Sequence, residues 1–188
     1  MRQVEICAVA ILAMAAGGTA HAATYIGVDI QGTAPFYRDN LFVSEPQHFG
    51  GADIHAGWRQ GIFALEGGWY IGQGGSGDNR LSLSGFTVDG LIYSPVRLGG
   101  AEPFLTVGTA NLLARSATIT NTVTPDSWSR TVAPLFSEQN WDWRAGAGLE
   151  WGFTQSVRGR LTARYEDFSF NGKMHGGATL SFGINVGL

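Results

Sequence analysis

Between Trp141 and Phe153 the sequence "WDWRAGAGLEWGF" puts an apolar residue at every odd position (Trp141, Trp143, Ala145, Ala147, Leu149, Trp151, Phe153) and a small or charged one at every even position (Asp142, Arg144, Gly146, Gly148, Glu150, Gly152). Successive side chains of a strand point to opposite faces, so the stretch predicts a β-strand with two unlike faces. The C-terminal "GGATLSFGINVGL" repeats the pattern: Ala178, Leu180, Phe182, Ile184, Val186 and Leu188 alternate with Thr179, Ser181, Gly183, Asn185 and Gly187. A soluble sheet would bury the apolar face and carry longer polar side chains on the other. A membrane barrel turns the apolar face to lipid and keeps small or polar residues in a narrow interior.

The N-terminal segment narrows the choice. "MRQVEICAVAILAMAAGGTAHA" has an early Arg2, an apolar run from Ile6 to Ala16, and Ala20 and Ala22 flanking His21. This is the layout of a secretory signal, with cleavage expected after Ala22, so that residues 1–22 are a leader and 23–188 the domain. The apolar run is too short for a spanning helix, which needs about 20 residues. Cys7, the chain's one cysteine, would leave with the leader. The exported domain would then have no disulfide, thiolate metal site or cysteine nucleophile.

Reading for period two gives eight strands. The first, about Thr24 to Gln31, opposes Ile26, Val28 and Ile30 to Tyr25, Gly27, Asp29 and Gln31. The second, about Phe49 to Arg59, sets Ala52, Ile54, Ala56 and Trp58 against Asp53, His55, Gly57 and Arg59, and the third, about Ile62 to Gln73, sets Phe63, Leu65, Trp69 and Ile71 against Glu66, Gly68 and Tyr70. In the fourth, about Leu81 to Ser94, apolar residues move from odd to even positions near Gly85, which predicts a bulge there. The fifth, about Pro103 to Arg115, has apolar residues in both phases. The sixth is Trp141 to Phe153, the seventh begins at Val157, and the eighth is Gly176 to Leu188.

Connections alternate in length: short at Gln60 and at Thr154 to Ser156, medium at Ser94 to Pro103, and long and polar at Gly32 to His48, Gly72 to Arg80, Ser116 to Asn140 and Ser169 to His175. An even strand number with short turns at one end and long loops at the other predicts an all-β, eight-stranded antiparallel up-and-down transmembrane β-barrel in an outer membrane. Aromatics assigned to the lipid face fall near strand ends: Trp58, Phe63, Trp151 and Phe153 beside the short turns, and Phe49, Trp69, Trp141 and Trp143 toward the long loops. Trp143 and Trp151 would lie roughly 20 Å apart along a tilted strand rising ~3.3 Å per residue, which suits two interfacial belts. The runner-up is a lipocalin-like barrel or sandwich. It would need Lys and Glu on its solvent face, where this chain is apolar.

With the apolar face outside, the interior collects Asp29, Asp53, His55, Arg59, Glu66, Asp89, Arg144, Glu150, Arg158, Arg160, Arg164 and Glu166. In a narrow lumen each arginine must find carboxylates, because an unpaired buried charge costs several kcal/mol. The cluster therefore predicts a salt-bridged plug, with a narrow channel gated by exchange of partners as the alternative. An outer-membrane lipid-modifying enzyme is a further alternative, but Asp53 and His55 have no assignable serine, and no His/Asp/Glu spacing resembles a ligand set. No catalytic, cofactor or metal residues are assigned. A net charge of -3 without a basic block argues against nucleic acid. The long segment Ser116 to Asn140, with Trp128, Leu135 and Phe136, is either a solvated or membrane-resting loop, a β extension above the bilayer, or a site for an extracellular ligand.

The stretches "ATYIGVDIQG", "GLIYSPVRLGGAEPFLTVGTANL" and "AGAGLEWGFTQSVRGRLTARYEDFSF" resemble the small OmpA-like outer-membrane barrel (porin) family of Gram-negative bacteria. The resemblance implies an outer-membrane location, contact with outer-membrane lipid, a monomer, and no cofactor. It also implies that the last strand is read by the barrel-assembly machinery through Ser181, Gly183, Val186 and Leu188. Leu188 stands where the family usually has Phe or Trp. With the chain stopping at Leu188, no peptidoglycan-binding domain is expected after the barrel.

Overall fold

The structure, a computed structural model, describes residues 23–36, 48–76, 79–124, 127–170 and 173–188. The expected leader and the middle of the 32–48 connection lie outside these residues. Eight strands, β1 (Ala23–Phe36), β2 (Phe49–Gln60), β3 (Phe63–Ser76), β4 (Asn79–Tyr93), β5 (Glu102–Thr124), β6 (Ser127–Gly152), β7 (Val157–Phe170) and β8 (Lys173–Gly187), pair in chain order and close with β8 on β1. Every pairing is antiparallel. The register makes the strands oblique. From Tyr25 the pairing runs through Gly57, Glu66, Asp89, Gly108, Arg144, Glu166 and Gly177, and it returns to β1 at Pro35, ten residues along. Closed sheets require such a stagger.

The alternation decides what faces out. Ile26, Ile54, Ile71, Phe86, Leu105, Leu149, Leu161, Leu180 and Ile184 are all exposed, whereas Asp29, Asp53, Glu66, Asp89, Arg144, Arg160 and Arg164 are buried. The apolar side chains are on the outer wall and the charges inside, the reverse of a soluble barrel. Such an outer wall requires a hydrocarbon solvent.

Two expectations for the phase are corrected. Pairing runs through Gly85 on both sides without a shift, so there is no bulge; β4 keeps odd residues inward from Leu83 to Tyr93. Leu83, placed before the expected bulge in the apolar series, is buried inside rather than lipid-facing, and Leu91 is buried there too. Phe49, expected on the lipid face, has the phase of Asp53 and is 3% exposed in the interior. The ambiguity of β5 has the same cause: Phe104 and Leu112 point inward while Leu105 and Val107 point out. The inner wall thus carries two apolar clusters, Ala64, Leu91, Tyr93 and Phe104 toward the short-turn end and Phe49, Tyr70, Leu83, Ala110 and Leu112 toward the other.

The short turns follow from local chemistry. Gly61, with φ of 60°, makes the two-residue link from β2 to β3. Gly99 and Gly100, with φ of 58° and 88°, close the small ladder of Leu98 with Ala101, a turn that needs two residues with positive φ. Between β6 and β7 the Thr154 hydroxyl accepts from the backbone N–H of Ser156 and Val157.

At the opposite end the connections at 72–80 and 169–175, expected as long loops, are mostly strand: β3 and β4 stay paired to Ser76 and Asn79, and β7 and β8 to Phe170 and Lys173. The segment from Ser116 to Asn140 takes the β-extension form, with β5 and β6 paired to Thr124 and Ser127 and a register shift at Ser116/Ala117. Outside the bilayer a strand needs only its backbone ladder, so period two no longer marks it.

Candidate functional site: the barrel interior

The inward charges form two layers. Nearer the short turns, three acids, Glu66, Glu102 and Glu150, meet three arginines, Arg59, Arg158 and Arg160. Arg160 Nη1 on β7 donates across the lumen to Glu66 Oε1 on β3 at 2.6 Å, and the Tyr25 hydroxyl donates to the same oxygen at 2.5 Å. Arg160 Nη2 lies 2.6 Å from His55 Nε2 and 3.2 Å from Asn185 Oδ1. Glu150 accepts from Arg158 Nη1 at 3.0 Å, Tyr93 at 3.1 Å and Asn185 Nδ2 at 3.1 Å. Arg59 Nη1 donates to Glu102 at 2.9 Å and stacks its guanidinium over the Tyr93 ring, 3.7 Å from the centroid. The groups are joined directly, with acids and arginines equal in number.

The layer toward the outer hairpins differs. Three acids, Asp53, Asp89 and Glu166, share two arginines, Arg144 and Arg164, and a fourth, Asp29, is approached by Arg160 from the layer below. Arg144 binds Asp89 through a two-pronged contact, Nε to Oδ1 at 2.7 Å and Nη2 to Oδ2. The other charged approaches are longer: Arg144 Nη1 to Asp53 and to Glu166 at 4.0 Å, Arg164 Nη1 to Asp89 at 3.8 Å, Arg164 Nε to Glu166 at 3.6 Å, and Arg160 Nε to Asp29 at 4.0 Å. Neutral groups supply the short bonds, Thr87 to Asp53 at 3.1 Å, Arg164 to Gln31 at 2.7 Å and Thr179 to Glu166 at 2.9 Å.

The expected cluster of Asp53, Arg59, Glu66, Asp89, Arg144, Glu150, Arg160, Arg164 and Glu166 is thus on the inner wall, divided between these layers. Sequence reasoning missed its neutral partners Tyr25, Tyr93, Gln31, Asn185, Thr87 and Thr179, which share the inward phase and so were findable. Two glycines make room. A Cβ at Gly183 would run into the Asp29 carboxylate, and one at Gly148 would meet the Phe104 ring.

His55 Nδ1 lies 3.6 Å from Asp53 Oδ1, but its Nε2 faces Asn185 and Arg160 rather than a hydroxyl. Among the described residues no group of three His, Cys, Asp or Glu side chains is placed to hold a metal ion.

On the outer wall Phe63, Trp69, Trp141, Trp143 and Phe153 are exposed, and Trp58 and Trp151 half-buried. Trp69 meets Phe86 edge-on at 4.5 Å, Trp143 lies 5.2 Å from the Tyr165 ring, and Trp151 contacts Phe153 and Phe182. In β8, Ser181 and Gly183 point inward and Val186 is exposed, as is Leu188 just past its end.

Comparison with solved structures identifies the architecture. Neisserial surface protein A superposes with a TM-score of 0.64 at 14% identity, covering 88% of this chain and 98% of that one. The attachment invasion locus protein Ail of Yersinia pestis, in complex with the heparin analogue sucrose octasulfate, gives 0.53 at 9% identity, covering 89% and 99%. The outer membrane protein AlkL, solved in lipid bilayers, gives 0.51 at 12% identity, covering 92% and 93%. This is the fold of the small outer-membrane β-barrels. No family model and no curated protein matches the sequence.

Proposed function

We propose that this small outer-membrane-type barrel is an integral outer-membrane protein whose interior is plugged by ion pairs and whose outer hairpins, β5–β6 above all, serve surface interaction. The observation that carries the reading is the short-turn layer, where Arg160, Glu66, Tyr25, Asn185 and Glu150 bond across the lumen from β1, β3, β6, β7 and β8. Moving Arg160 or Glu66 aside would leave its partner's buried charge unpaired, so the plug resists opening. The site carries no feature that favours the enzyme alternative, since His55 Nε2 is turned to Asn185 and Arg160.

The hairpin supports the second half of the reading. β5 and β6 have 23 and 26 residues, against roughly 9–11 for a strand that only spans the bilayer, so their outer ends project beyond it. Beyond Arg144 opposite Glu166, β6 pairs with β5 and not with β7 among the described residues, which leaves one edge of the ribbon open to a partner. Ail is named for attachment and was solved with a heparin analogue. A surface-interaction role of that kind is what we assign to this ribbon, with an extracellular ligand as its partner. Insertion would use the N-terminal leader, outer-membrane lipid against the aromatic belts, and the assembly machinery acting on Ser181, Gly183, Val186 and Leu188; the barrel would work as a monomer without cofactor.

The test is fractionation with unboiled and boiled gel samples, followed by planar-bilayer conductance and cell-surface binding with and without residues 117–136. A heat-shifting outer-membrane band, no steady conductance and loss of surface binding on deletion are expected. A soluble periplasmic protein, or stable open-channel currents, would overturn the proposal.

A further inference from the structure

The outer wall is not uniform. In one row of the register Ile92, Leu105, Ala147, Ala163 and Leu180 stand side by side on β4 to β8, all exposed on the lipid face. Ala147 lies opposite Ala163, and the next outward row toward the short turns has leucines there instead, Leu149 opposite Leu161. The alanine pair is therefore the floor of a hollow rimmed by Leu105, Leu149, Leu161 and Leu180. The hollow has a volume of about 650 Å³ and runs on to the short-turn end, where Ser94, Pro95 and Pro103 bound it. Sites for small molecules have volumes of roughly 300–1,000 Å³.

Its short-turn end has the chemistry of a membrane interface. Pro95 and Pro103 have no N–H to leave unbonded against hydrocarbon, and the Ser94 N–H donates to the Pro103 carbonyl at 2.7 Å. Beyond them the same turn exposes Val96 and Leu98 with an exposed Arg97 between. Apolar side chains on both sides of an arginine suit a turn lying among lipid headgroups, where the long side chain carries its charge to the phosphates. Arginine is also in excess there. Arg59, Arg97 and Arg158 all reach Glu102, so Arg97 adds a fourth arginine to a layer whose acids are Glu66, Glu102 and Glu150.

We propose that this groove is a fixed site for one anionic glycerophospholipid of the periplasmic leaflet, with an acyl chain laid over Ala147 and Ala163 and the phosphate held at Arg97. The groove opens on the wall that meets hydrocarbon, so the bilayer supplies its occupant, and the short turns place that occupant in the periplasmic leaflet. The cation at the groove's end selects the charge of the headgroup. The site rests on the membrane-spanning wall and is independent of the plug.

The test is native mass spectrometry of the full barrel, purified folded from membranes into detergent micelles holding equal amounts of phosphatidylglycerol and phosphatidylcholine. Heat modifiability verifies the fold of each variant. The unaltered protein should carry one lipid and favour phosphatidylglycerol about 5-fold, the weight of one arginine near an anionic membrane surface. Arg97→Gln should bring that ratio to about 1 and leave phosphatidylcholine binding as it was. Ala163→Phe keeps the wall apolar and fills the hollow, so it should lose both lipids; Ala147→Leu serves if the first does not fold. Ala56→Phe, on the exposed face of β2 outside the groove, should bind as the unaltered protein does. Equal binding of the two lipids by the unaltered protein overturns the phosphate site. Full lipid retention by a folded groove variant, or equal loss in Ala56→Phe, overturns the groove and leaves only a general lipid annulus. A dimer that Ala163→Phe abolishes would place a second copy on this face and overturn the lipid site as well.

Discussion

The strongest single test of the plug is Arg160→Met. Arg160 is 3% exposed and its guanidinium touches Glu66 at 2.6 Å, His55 at 2.6 Å and Asn185 at 3.2 Å. Methionine keeps much of the stem's volume and removes the charge, leaving Glu66, itself 7% exposed, with the Tyr25 hydroxyl as its remaining short bond. Breaking a buried pair from one side costs about 3–5 kcal/mol, because the surviving charge stays desolvated, whereas replacing both members by neutral groups is often near neutral. Arg160→Met should therefore lower unfolding free energy by about 3–5 kcal/mol, and adding Glu66→Gln should recover much of the loss. Arg97 to Glu102 is the control: an ion pair of similar length, 2.7 Å, on a side chain 67% exposed, for which Arg97→Met should cost no more than about 1 kcal/mol. Urea titrations of the barrel refolded in lipid vesicles, read by tryptophan fluorescence, measure all four variants. If Arg160→Met and Glu66→Gln add within about 0.5 kcal/mol, the two side chains are uncoupled and the reasoning is wrong.

Leu149→Arg puts a charge on the lipid face and should cost about 2–4 kcal/mol if it sits near the midplane, seen as loss of the heat-shifted band. Thr179→Ser keeps the hydroxyl that donates to Glu166 and should assemble normally by the same gel; equal behaviour of the two variants would reject the assigned faces. Gly148→Ala would press a methyl against the Phe104 ring and the Leu161 carbonyl, so destabilisation of about 1–3 kcal/mol is expected in the urea assay.

What was legible in the sequence was the part of the chain in contact with lipid. From Trp141 on in β6 and from Gly176 on in β8 nothing but period two is present, and their inner and outer faces follow residue by residue. Leu83 and Phe49 misled, and Phe104 blurred the phase of its strand, because an eight-stranded barrel must also fill its own interior, and an inward leucine has the same letter as a lipid-facing one. Their side is told by register alone, which depends on the neighbouring strand. The hairpins at 72–80 and 169–175 were missed, and the β extension at 116–140 was only one of several readings, for the opposite reason: past the bilayer the ladder holds through backbone bonds that any sequence can make. The division of the ion cluster into a direct and a loosened layer depends on distances of a fraction of an ångström across the lumen, which strand phase does not encode.

The choice of cation fits this interior. Lys173 is the chain's one lysine, so eleven of its twelve basic residues are arginine. A lysine carries its charge at one point, while a guanidinium presents five donors in a plane, stays charged when buried and is less strongly hydrated. Arg160 reaches Glu66, His55 and Asn185 on three strands, and Arg144 grips Asp89 with two nitrogens while a third approaches Asp53 and Glu166. One side chain thereby joins three or four strands of a wall whose glycines leave the space for it. Without disulfides in the barrel, this cross-lumen bonding is what ties distant strands together.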